Sequence, residues 1–120
     1  MSEPSAPIYQ IKVTLNYIRP PIWRRFLVAG DATLSDLHDI LQIVMGWEDS
    51  HLHDFNIDGM IFRDSEDLEF VFDEDEFLSE NHTTLSAVIT REKQRFTYRY
   101  DFGDGWEHTL VVEKILPPQQ

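Results

Sequence analysis

Between positions 9 and 17 the chain alternates, with Tyr9, Ile11, Val13, Leu15 and Tyr17 separated by Gln10, Lys12, Thr14 and Asn16. A period of two is that of a strand with one buried face, so a strand is predicted there. Arg19, Pro20 and Pro21 interrupt it, because proline cannot donate to a ladder, and Ile22 to Val28 offers a second strand close enough to pair as a hairpin. Trp23 and Phe26 fall on its opposite faces. From Thr33 the period becomes helical: Leu34, Leu37, Ile40, Leu41, Val44 and Met45 recur at the spacing of one apolar stripe. Thr33 and Asp36 resemble a capping box and Gly46 suits the helix end, which predicts one helix of about three turns.

His51 to Ile57 reads as a third strand, with Asp58 and Gly59 as a two-residue turn into Met60 to Arg63. Thr84 is placed to cap a short helical turn holding Leu85, Val88 and Ile89. Phe96, Tyr98, Tyr100 and Phe102 then alternate with Thr97, Arg99 and Asp101, and Gly103, Asp104 and Gly105 turn that strand into Trp106 to Ile115. The expected fold class is α+β, a mostly antiparallel sheet covered by one main helix, with a short second helix. The opening order of hairpin then helix resembles a β-grasp domain.

A length of 120 residues with 42% hydrophobic content supplies one core, so residues 1–120 are expected to form a single domain with an ordered core of about 8–116. Met1 to Pro7 reads as a short frayed leader and Pro117 to Gln120 as a loose tail. No apolar run approaches the roughly 20 residues that a membrane span needs. The chain has no cysteine, which removes disulfides and thiolate chemistry and fits a reducing, cytoplasmic compartment.

The formal net charge is -12, so direct DNA binding is disfavoured unless a local basic patch overcomes the field. Asp64, Glu66, Asp67, Glu69, Asp73, Glu74, Asp75, Glu76 and Glu80 nearly form an acidic run, expected as a solvated loop. It lacks the glycine that a calcium loop needs at its sharp turn. Arg24 and Arg25 point to opposite faces, while Arg95 and Arg99 share the parity of Asp101; ion pairing with the acidic excess is expected of these arginines.

Four motifs in order are recognisable: Pro21-Ile22-Trp23-Arg24-Arg25, then Leu37-His38, then Met45-Gly46-Trp47 leading to His51-Leu52-His53-Asp54-Phe55, and Tyr98 to His108 reading Tyr-Arg-Tyr-Asp-Phe-Gly-Asp-Gly-Trp-Glu-His. Together they resemble the plasmid pRiA4b ORF-3-like family. The resemblance implies a single α+β domain, often in plasmid-, transposon- or genome-encoded proteins without an assigned role, some relatives of which carry a TnpR or resolvase label. Recombinase activity is not carried over, since no serine sits among arginines and no basic helix-turn-helix module is visible.

His51 and His53 lie two apart on the expected strand, a spacing that can place two imidazoles on one metal. Asp101, Asp104 and His108 surround the glycine-rich turn and would complete a divalent-metal site, zinc or manganese, if the two strand ends converge, with Glu107 as candidate base. The structural alternative is that the histidines, which share the parity of Phe55 and Ile57, are edge-of-core residues bonded to Asp101 or to backbone carbonyls. His38, Trp47 and Trp106 are candidate cleft-lining residues, the two indoles being expected as core or rim packing. With no complete catalytic constellation, the leading expectation is a non-enzymatic interaction module that binds a protein or small ligand. A metal-dependent hydrolase or nuclease using the His/Asp cluster is the alternative, and an acidic DNA mimic the third.

Overall fold

The computed structural model describes residues 6–65 and 77–118. Its elements in chain order are β1 (Ile8–Leu15), β2 (Ile22–Ala29), α1 (Leu34–Met45), β3 (His53–Ile57), β4 (Met60–Arg63), β5 (Phe77–Ser79), a 3-10 turn (Glu80–His82), α2 (Leu85–Val88), β6 (Arg95–Tyr100) and β7 (Trp106–Leu116). The strands form one seven-stranded sheet in the order β2-β1-β7-β6-β3-β4-β5. Every neighbouring pair is antiparallel except β4 and β5, which run parallel. The fold is therefore α+β, as the patterning implies.

Alternation on β1 does what a period of two requires: Tyr9, Ile11, Val13 and Leu15 are buried and face the helix side. In register with them lie Leu110 and Val112 of β7, then Phe96 and Tyr98 of β6, then Phe55 of β3. Helix α1 lays Leu34, Leu37 and Leu41 on this surface, all fully buried. Each such side chain contributes about 1.5–3 kcal/mol relative to exposure. The apolar stripe also carries His38 and Gln42, both buried, so α1 takes two polar side chains into the core.

The ends of α1 follow the expected chemistry. Thr33 Oγ1 accepts from the Asp36 backbone N–H at 3.1 Å, and Asp36 Oδ2 accepts from the Thr33 backbone N–H at 2.9 Å, a reciprocal capping box. Gly46 ends the helix in the left-handed region, with φ of 76°. The Asp58-Gly59 turn has positive φ at both residues, 52° and 85°, which matches the twist of a tight hairpin. Thr84 does precede α2, but its hydroxyl makes no capping bond. That helix is held instead by backbone bonds from Leu85 N to Ala32 O, 2.8 Å, and from Ser86 N to Gly30 O, 2.9 Å.

Three strand boundaries move relative to the sequence pattern, the first at β1, which stops at Leu15 and leaves Tyr17, expected on its buried face, exposed in a left-handed turn with φ of 65°. β3 begins at His53, not His51. β6 ends at Tyr100, and Asp101 turns into a left-handed conformation with φ of 62°, so it leaves the parity of Arg95 and Arg99. On the sheet face away from α1, Arg99 instead pairs with Asp54 at 2.8 Å, and Arg25 with Glu113 at 2.7 Å, the ion pairing expected of the basic residues. Of the acidic run, Glu66, Asp67, Glu69, Asp73, Glu74, Asp75 and Glu76 lie outside the described residues.

Candidate functional site

At one end of the sheet, the segment after α1 meets the β6–β7 turn. Beneath it lies a buried polar network. Gln42 Nε2 donates to the Tyr98 hydroxyl at 2.9 Å, and Gln42 Oε1 accepts from the Asp49 backbone N–H at 2.6 Å, which fixes the amide orientation. The hydroxyl also meets His38 Nδ1 at 2.6 Å. Asp49 Oδ1, a carboxylate oxygen, can only accept, so His38 Nε2 donates to it at 2.7 Å, and in the neutral ring Nδ1 then accepts from the Tyr98 hydroxyl. Burial pushes the Tyr98 hydroxyl far above the ordinary tyrosine range, so it stays a proton donor.

His53 stacks on His38, with ring centroids 3.6 Å apart and planes 7° from parallel. Its Nε2 meets Glu80 Oε1 at 2.7 Å, and Glu80 is wholly buried with Oε2 lacking a hydrogen-bond partner. His108 is wired separately. Trp47 Nε1 donates to its Nε2 at 3.1 Å, so its Nδ1 keeps the proton and donates to the Tyr98 carbonyl at 3.1 Å. Desolvation lowers the His108 pKa, which favours this neutral form.

Above the network a cleft of about 340 Å³ opens to solvent. Trp47, Glu48 and His51 line one wall, and Tyr100, Asp101, Asp104 and Trp106 the other. Trp47 stands 5.6 Å, centroid to centroid, from both Tyr100 and Trp106. The rim is set by the turn: Asp101 N donates to Leu52 O at 2.9 Å, and Asp101 Oδ1 accepts from the backbone N–H groups of Gly103 and Asp104 at 3.1 and 3.4 Å. Asp101 Oδ2 lies 3.6 Å from His51 Nε2.

The five residues expected to share a metal do not surround one point. Only His51 and Asp101 approach each other, with Asp104 beside them at the cleft rim. His53 and His108 face the core, where Glu80, Trp47 and the Tyr98 carbonyl occupy their nitrogens. Glu107 lies on the opposite sheet face, paired in register with Arg99, and so is removed from the cleft. His38 is corrected too: it is buried beneath the cleft and does not line it. Trp47 and Trp106 do line it.

Among the described residues, the one group of three with metal-like spacing is His38, Asp39 and Asp49. Within it, His38 Nε2 is hydrogen-bonded to Asp49 Oδ1 at 2.7 Å, so these two groups satisfy each other. The sequence left Gln42, Asp49, Tyr98 and Glu80 unread as partners. Its one available signal was the placing of His38 and Gln42 within an apolar stripe, since buried polar groups imply partners.

These features define a small α+β domain with an aromatic, acid-rimmed cleft over a hydrogen-bonded polar interior in which one oxygen, Glu80 Oε2, lacks a partner. A family model described as plasmid pRiA4b ORF-3-like protein matches residues 7–120, and the chain belongs to that family. It is 36% identical over 117 residues to an uncharacterized protein, y4hQ, of Sinorhizobium fredii (strain NBRC 101917 / NGR234), covering 93% of this chain and 56% of that protein. The chain thus spans about half the length of this curated relative. The crystal structure of a protein of unknown function, MM3350 from Methanosarcina mazei Go1, superposes with a TM-score of 0.79 at 35% identity, over 97% of this chain and 64% of that one. Among the described residues, no helix is long and apolar enough to cross a membrane.

Proposed function

We propose that this domain is a non-enzymatic interaction module that binds a protein segment or small ligand in the cleft between Trp47–His51 and Tyr100–Trp106. The observation that carries this reading is the division of labour between core and cleft. Three of the imidazoles, His38, His53 and His108, together with Tyr98, are bonded to one another or to fixed partners inside. What faces solvent is a concavity walled by the indoles of Trp47 and Trp106 and rimmed by carboxylates and His51, the kind of surface that recognises a ligand. A metal-dependent hydrolase would have to work from His51, Asp101 and the rim carboxylate of Asp104, without His53 and His108. The cysteine-free composition supports a reducing compartment such as the cytoplasm, and the net charge of -12 argues against duplex DNA as the partner.

The test is a fragment screen by amide chemical-shift mapping, run beside hydrolase and nuclease assays with zinc and manganese. Shifts clustering on residues 46–51 and 100–106 without turnover are expected. Metal-dependent turnover abolished by His51→Ala would overturn the reading.

A further inference from the structure

We infer that the cleft selects an organic cation, an alkylguanidinium or alkylammonium group. This rests on the reading of the cleft as a binding site and names what it takes. The lining has the half-buried indoles of Trp47 and Trp106, backed by the buried Tyr100 ring, with three carboxylates in Glu48, Asp101 and Asp104 and no lysine or arginine. An aromatic face carries negative quadrupole density that attracts a cation, and carboxylates at its rim add direct attraction. The sign is set further by which groups are already used. The Trp47 N–H points inward to His108, and the Ser50 backbone N–H is given to the Tyr100 hydroxyl at 2.8 Å, so two donors that an anion would need are engaged.

The acceptors remain. Asp101 Oδ1 is held by two backbone N–H groups, which orients the carboxylate, while Oδ2 stands 3.6 Å from His51, beyond a made hydrogen bond. This oxygen belongs to a carboxylate in the lining of the cleft that also holds both indoles. The net charge of -12 adds a field that draws cations to the whole molecule. The volume of about 340 Å³ suits a head group on an alkyl stem. The same chemistry is found on a free amine and on an Arg or Lys side chain.

The experiment uses Trp23→Phe protein, so that Trp47 and Trp106 alone report by fluorescence; Trp23 lies on β2, outside the cleft. It is titrated with argininamide and with its neutral isostere citrullinamide, both acetylated on the α-amine so that the guanidinium is the one charge in which they differ, with acetate, and with a ten-residue peptide bearing one arginine or one citrulline. Argininamide should give a saturable change and bind about tenfold or more tighter than citrullinamide, the scale of a partly desolvated cation–π contact reinforced by a carboxylate. Asp104→Asn, which keeps the backbone N–H that Asp101 accepts, should weaken argininamide by about threefold or more and leave citrullinamide unmoved. An arginine peptide binding tighter than argininamide assigns the cation to a protein partner; equal binding assigns it to a small amine. Equal binding of citrullinamide, or tighter binding of acetate, overturns cation selection while leaving a binding cleft in place. If no probe of any charge changes either indole, cation selection and the binding module fall together.

Discussion

Replacing Tyr98 by phenylalanine removes one oxygen and keeps the ring, so it isolates the hydroxyl that joins α1 to β6. That hydroxyl accepts from Gln42 Nε2 at 2.9 Å and donates to His38 Nδ1 at 2.6 Å. Both partners are buried, at 5% and 4% exposure, so water does not readily replace it. A buried donor or acceptor left without its partner costs about 1–3 kcal/mol. Two are orphaned here, and some relaxation at the helix end offsets part of the cost, giving an expected loss of about 2–4 kcal/mol. With an unfolding entropy of about 2.1 cal/mol/K per residue, a chain of 120 residues should melt about 8–16 °C lower. Urea unfolding by circular dichroism and fluorescence measures the loss directly, with an unchanged slope confirming two-state behaviour. A loss below about 0.5 kcal/mol, inside the range of ordinary surface substitutions, would refute the network as a stabilising unit.

Three further outcomes follow from local geometry. Desolvation lowers the His108 pKa below 6.5, so its contribution to stability is full above that value and is lost as pH falls toward the lowered native one; between pH 7 and pH 5 the urea midpoint should drop more steeply than in His108→Gln, and equal slopes would contradict this. Glu113 is held down to about 2, chiefly by its hydrogen bond to Arg25, then by Gln10; in Arg25→Ala, carboxyl carbon NMR should find its titration raised by about one unit or more, and no movement would remove the assignment. Gly46→Ala puts a Cβ on a backbone with φ of 76°, where nothing stands within 4 Å, so strain alone should cost about 1 kcal/mol, read as a melting point lower by about 4 °C.

What the sequence reveals here depends on how local the cause is. The capping box, the apolar stripe of α1 and the left-handed Gly46 act within one turn and are legible from Thr33 to Gly46. Strands β1 and β7 are legible because each buries one face. The strand at His51 is read two residues too early, because the His-x-His pair mimics alternation although only His53 enters the sheet. Glu80 is hidden within an acidic run that reads as solvated, and its pairing with His53 depends on the sheet bringing residues 27 apart into contact. The parallel pairing of β4 with β5 is equally non-local, resting on three residues beyond the acidic stretch. Of the expected metal ligands, the convergence of strand ends is real only for His51 and Asp101, since the inward parity of His53 and His108 commits both to the core.

The central claim is that the interior imidazoles are held as hydrogen-bonding links and not kept free as ligands or bases. Long-range nitrogen–proton correlation of the histidine rings by NMR at pH 7.5 reads this wiring atom by atom. His38 should appear as the neutral tautomer protonated on Nε2, directed at Asp49, and His108 as the one protonated on Nδ1, directed at the Tyr98 carbonyl. A His38 protonated on Nδ1, leaving Nε2 open to an ion, would contradict the account.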